Sequence, residues 1–161
     1  MNIRAVGVAG SIVGALLTTY LASGREHRAE AEIAGKWSCD WRSDNGDNAR
    51  FSVSFGEDGL SKTSGHAAVW REGYQIELTL GAASAWRVRR DYIVYDTTTP
   101  PDLKGFINGV PYPVPYDVAK RFDAWTNGPV GQRIVSRDDN SMELKVVSDD
   151  VTTLWDCIRT A

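Results

Sequence analysis

The residues that could do chemistry are few in this chain, and their spacing does not assemble a reaction centre. His66 stands in a polar stretch beside Ser64 and Gly65. A general base needs a nucleophile within reach and an acid to orient it, and no spacing around His66 supplies them. It reads as a surface histidine, and His27, set among charges, reads as solvated. Asp44 and Asp47, with neighbouring asparagines, offer oxygen ligands for a hard cation. The stretch lacks the spacing and closing glutamate of a calcium hand, so a turn is the favoured reading. Arg87, Arg89 and Arg90 make a small basic patch. Strand alternation places Arg87 and Arg89 outside if Trp86 and Val88 lie inside. No catalytic residue, metal ligand or cofactor is expected, and the chain does not read as an enzyme.

The two cysteines carry more. Trp37, Cys39 and Trp41 near the start of the domain are mirrored by Trp155, Cys157 and Arg159 at its end. With Cys39 opposite Cys157 in an antiparallel ladder, Trp37 faces Arg159 and Trp41 faces Trp155. All of these side chains then share one face, because strand side chains alternate with a period of two. A parallel register also gives plausible pairs, Trp37 with Trp155 and Trp41 with Arg159. The antiparallel register makes the first and last strands neighbours joined by a disulfide, and a sheet whose ends meet is a closed barrel. A structural disulfide points to an oxidising compartment, here the periplasm or the exterior. There is no CxxC motif and no Cys/His cluster, which leaves redox catalysis and structural zinc without support.

The chain of 161 residues is long enough for one domain and a short extension. Its net charge of −3 and scattered Lys and Arg give no nucleic-acid footprint. Ala5 to Ala22 is an uncharged apolar run behind Arg4. It is about as long as the lower limit for spanning a bilayer, and its clearest small-x-small triplet, Ala29-Glu30-Ala31, lies well past its end. An uncleaved anchor over residues 1–24 is favoured over a cleaved signal. The domain is then periplasmic and tethered to the inner membrane, or secreted if the segment is removed. Gly10 and Gly14 suit packing against another helix, though small residues are also ordinary in signal regions. Residues 25–34 are charged and predict a short helical stalk.

The domain, residues 35–161, alternates apolar and polar residues as a half-buried antiparallel sheet does. Phe51, Val53 and Phe55 share one face; Tyr74, Ile76, Leu78 and Leu80 share another. Strands are predicted at 36–42, 49–55, 60–70, 74–80, 85–90, 92–97, 132–137, 141–147 and 151–159, roughly eight or nine in all. Pro100, Pro101, Pro111, Pro113 and Pro115 make 98–116 a long loop that cannot be a central strand. Asp117 reads as the N-cap of one short helix, with Val118, Phe122 and Trp125 on its apolar face. Phe106, Ile107, Tyr112 and Tyr116 make the loop unusually apolar and aromatic. Such a loop either plugs the barrel mouth or forms a ligand portal or partner surface.

Gly35-Lys36-Trp37 resembles the Gly-x-Trp signature of lipocalins, in which the tryptophan closes one barrel end beneath an arginine of the last strand. Arg159 is placed to fill that role, and Trp41 and Trp155 are counted with the same closure. The stretch from Gly81 through Trp86 to Asp91-Tyr92-Ile93-Val94 is similar to a hairpin of the small membrane-anchored periplasmic proteins of the ToxS and VtrC kind. Those proteins lack this cysteine pair and the proline-rich segment. The resemblance implies a lipocalin-like antiparallel barrel behind an N-terminal apolar helix, pairing with a membrane-bound sensor. It also implies a lipid-like ligand such as a fatty acid or bile salt. The interior expected to hold that ligand is lined by Phe51, Phe55, Ile76, Leu78 and Trp86. The competing expectation is a periplasmic protein inhibitor of the lysozyme-inhibitor type, working through an exposed loop.

Overall fold

The computed structural model describes residues 24–44, 46–96, 101–123, 130–148 and 151–161. The expected apolar N-terminal helix lies outside them. Helix α1 (residues 24–33) leads into β1 (Gly35–Arg42), β2 (Asn48–Phe55), β3 (Leu60–Arg71), β4 (Tyr74–Arg89) and β5 (Tyr92–Asp96). A hairpin of β6 (Asp102–Ile107) and β7 (Val110–Tyr112) and the helix α2 (Tyr116–Asp123) follow. The chain finishes with β8 (Val130–Arg137), β9 (Ser141–Ser148) and β10 (Val151–Thr160).

Strands β3, β2, β1, β10, β9, β8, β5 and β4 pair in that order, and β3 with β4 closes the ring. The result is an all-β antiparallel barrel of eight strands with a short helix. First and last strands meet in the expected antiparallel register, Trp37 opposite Arg159 and Cys39 opposite Cys157, and the cysteines are bonded. Both cysteines are buried. The parallel alternative is excluded.

Three sequence expectations need correction. Over the described residues 101–116 the segment is not one loop: 102–107 contains no proline and pairs with the first half of β4, and β7 returns along it. Pro111 sits in β7, the last strand of the sheet order, where a missing N–H costs no ladder bond on the free side. The hairpin turns at Asn108-Gly109, both at positive φ (50° and 78°), the backbone that a type I′ turn demands. Second, the strands predicted at 74–80 and 85–90 are one continuous strand of 16 residues. The small residues Gly81, Ala82, Ala83 and Ser84 let it change partners, from β6 on its first half to β5 on its second, without breaking. Third, Asp117 is no N-cap. The amides of Val118 and Ala119 bond to the Pro115 carbonyl, so Asp117 lies in the first turn and its carboxylate reaches Arg71 instead.

One barrel end is sealed. Ile33 and Trp37 are essentially inaccessible (0% and 1% exposed) and pack with Phe55, Trp86, Val88, Ile93, Tyr95, Met142 and Leu144. Helix α1 covers the residues read as a stalk, and its last turn is built into this end. Trp37 Nε1 donates to the Ile33 carbonyl at 2.8 Å, and the Val88 amide donates to Glu30 Oε1 at 3.0 Å. Arg159 donates to the carbonyls of Glu32 and Ala34, two acceptors left free where a helix ends.

Candidate functional site

The seam between β1 and β10 carries six of the residues singled out from sequence, Trp37, Cys39, Trp41, Trp155, Cys157 and Arg159. At the sealed end the Arg159 guanidinium lies over the Trp37 ring, 4.3 Å from its centroid. Gly35 is needed beside it for two reasons: its φ is 130°, and a Cβ there would stand 2.6 Å from Arg159 Nη1. Midway along the seam the disulfide joins the strands. At the far end Trp41 and Trp155 stack, centroids 6.1 Å apart and planes 29° apart, and Phe51 lies 5.1 Å from Trp155. Trp41 and Trp155 therefore do not close the sealed end. They stand across the disulfide from it and are only half-buried, in contrast to Trp37 and Trp86.

The inner face around this aromatic cluster is made of small residues. Trp41 pairs with Ala49, which pairs with Ala67. Next to that row Phe51 pairs with Gly65, where a Cβ would sit 2.3 Å from the Phe51 ring, so the glycine gives the ring its seat. Leu80 and Leu103 complete the cluster. Phe55 and Trp86, also expected to line a ligand chamber, belong to the packed end instead, their rings 4.8 Å apart and Trp86 Nε1 bonded to the Gly56 carbonyl. Burial pushes the Tyr95 phenol up from its ordinary range, and its hydroxyl donates to Gln132 Oε1 at 3.0 Å.

Helix α2 and the β6–β7 hairpin gather at the far end. Ile76, Leu78, Val69 and Val118 form a buried cluster, with Leu103, Ile107 and Val114 packed against it. Arg71 clasps this region: it pairs with Asp47 at 3.3 Å and with Asp117 of α2 at 3.0 Å. Asp47, read from sequence as part of a turn, is buried and also accepts the Trp70 amide. The four residues of the predicted loop surface are not brought together. Ile107 packs into the core cluster, and Phe106 pairs with Glu77 on the outer face. Tyr112 and Tyr116 are exposed (46% and 80%). Trp70, Tyr74 and Val110 add further exposed apolar side chains.

A groove missed from sequence, of about 750 Å³, runs along β1 to β4, with Phe106 of β6 beside it; it is lined mostly by outward-facing residues, and Trp41, Ala49, Ala67 and Leu78 of the inner face also border it. Its polar lining comes from two neighbouring cross-strand rows, Asp40–Arg50–His66–Thr79 and Arg42–Asn48–Ala68–Glu77. Among the described residues no group of three or more His, Cys, Asp and Glu could hold a metal. No protein-family model matches the chain, and no curated protein matches it in sequence.

Proposed function

We propose that this domain is a non-catalytic, extracytoplasmic binding protein that takes a small amphipathic molecule at the far end of its barrel. The stacked, half-buried pair Trp41–Trp155, with Phe51 against it on the inner face, is the observation that carries this reading. Flat aromatic surface left accessible inside a barrel favours an apolar chain or fused ring, and the small Ala49 and Ala67 beside it favour an occupant other than protein side chains. The sealed half, with its ring-on-ring packing, is scaffold in this account. A location outside the cytosol is supported by the Cys39–Cys157 bridge.

A partner protein docking at the same end has its own support. Trp70, Tyr74, Val110, Tyr112 and Tyr116 are exposed on or beside the β3–β4 turn, the β6–β7 hairpin and the start of α2. Tyr and Trp are common interface anchors. These exposed side chains support the rim as the surface for a sensor partner, with the ligand at the cluster behind it.

Titration with oleate and with cholate, followed by tryptophan fluorescence, tests the ligand reading. A saturable change is expected, with binding weakened about tenfold or more by Trp155→Ala and largely kept by Trp155→Phe. A folded protein giving no saturable change with either amphipath sinks it and leaves the rim as the working surface.

A further inference from the structure

We infer that the outer groove is a second binding site, for a neutral oligosaccharide. Its polar groups come from the two rows named above, which point away from the barrel interior, while Trp41, Ala49 and Ala67 of the inner cluster border it from behind. Asp40, Arg50, His66 and Thr79 occupy one row, and their in-sequence neighbours Ala49, Leu78 and Leu80 are buried on the inside. The volume of about 750 Å³ falls within the range of ordinary small-molecule sites, roughly 300–1,000 Å³.

The chemistry of the lining selects the ligand. Arg50 holds Asp40 through Nε at 2.6 Å and Nη2 at 3.3 Å, so these two charges are already spent on each other. The remaining charges oppose one another, Arg42 on one side and Glu77 on the other. A polyanion would meet Glu77 and Asp40, and a polycation would meet Arg42 and Arg50. An aliphatic ligand would leave guanidinium, carboxylate and amide groups without partners, which costs binding energy at each. A ligand of paired hydroxyls gives each of these groups a partner, since planar carboxylate, amide and guanidinium side chains bond two neighbouring oxygens at once. Phe106, paired across β4 with Glu77, offers an aromatic face to the C–H surface of a sugar ring.

An extended peptide is the competing occupant, and the geometry disfavours it. Peptides that join sheets add to a strand edge through their backbone. Here the floor is the face of a sheet whose strands β2, β3 and β4 are paired on both sides along the groove. Ala68 at the centre of one row keeps that floor low. The polar groups stand on strands, so their backbone positions are set before a ligand arrives. Because most of them are exposed, the site is shallow and its binding weak.

The test is amide chemical-shift mapping of the oxidised protein with maltotriose, cellotriose and chitotriose, alongside a Lys-rich and a neutral extended peptide. We expect saturable shifts with at least one sugar, confined to residues 40–50, 66–68, 75–79 and 106. The double variant Arg42→Ala/Glu77→Ala should weaken that sugar's binding about tenfold, whereas Trp155→Ala should leave it unchanged. Absence of saturable shifts with all three sugars overturns the proposal. So does preferential binding of either peptide, or sugar binding undiminished in the folded double variant. Oleate titration of the same double variant is expected to match the parent protein, so loss of the groove and loss of the inner site are read separately.

Discussion

Arg159 illustrates how one side chain can serve several elements at once. It stacks on Trp37, donates to two carbonyls at the end of α1, and donates through Nε to the Asp139 carbonyl of the β8–β9 turn. Lysine keeps the charge but lacks the planar fork. Arg159→Lys should therefore destabilise by about 1–3 kcal/mol in urea denaturation, and Arg159→Met by at least as much. The turn that Arg159 touches is held by Asp138. Its carboxylate accepts the Ser141 hydroxyl and the amides of Asn140 and Ser141, bonds that hold its pKa below the ordinary 3.8, the Ser141 hydroxyl contributing most. A folded-state pKa below the unfolded one adds stability above the unfolded value and loses it as pH falls through the folded value. Asp138→Asn should thus be less stable than the parent at neutral pH, and the gap should narrow as pH drops below about 3.8. Denaturation curves at neutral and acid pH measure this, and a gap that stays constant would remove the carboxylate's charge from the account.

The β6–β7 hairpin separates into a structural side and a surface side. Ile107→Ser removes an apolar group from the cluster of Val69, Ile76, Leu78 and Val118 and should destabilise by roughly 2–4 kcal/mol. Phe106→Ser, on the outer face, should cost well under half of that; equal losses on thermal denaturation would mean the two residues share one environment. Gly65→Ala tests the sheet itself, because the added Cβ would meet the Arg50 carbonyl and the Phe51 ring, both at 2.3 Å. The expected cost is about 1–3 kcal/mol. Much of this architecture is legible from sequence wherever a period of two meets a paired landmark. The alternation of Phe51, Val53 and Phe55 and the mirrored tryptophans around Cys39 and Cys157 yield the strands, the register and the closure. The hairpin is hidden because flanking prolines mask an Asn-Gly turn, and β4 is hidden because glycine and alanines resemble a break. The aromatic pair Trp41–Trp155 follows from the register, although not the fact that it lies away from the sealed end. The clasp of Arg71 on Asp47 and Asp117 and the outer groove depend on residues far apart in the chain, so no local pattern announces them.

The disulfide spans a sequence separation of 118 residues, and closing so long a loop restricts the unfolded chain over nearly the whole domain. The double variant Cys39→Ala/Cys157→Ala should lose roughly 3–5 kcal/mol and show a steeper denaturant dependence, because its unfolded state is more expanded. An unchanged midpoint would mean that the bridge adds little beyond the barrel's own closure. The position of that bridge also decides how the molecule bears tension. Helix α1 and the end of β10 lie at the same barrel end, with Lys36 opposite Thr160. A pull applied through α1 enters β1 at Gly35 and meets a covalent link at Cys39. Strand β1 can peel only as far as that link, and the load then passes to β10 without crossing the ladders of the other strands. Stretched between α1 and Ala161 in a force experiment, the oxidised domain should release only residues 35–38 and 158–161 as slack, and the full contour only after reduction. Tension applied along this seam therefore leaves strands β2 to β9 out of the load path.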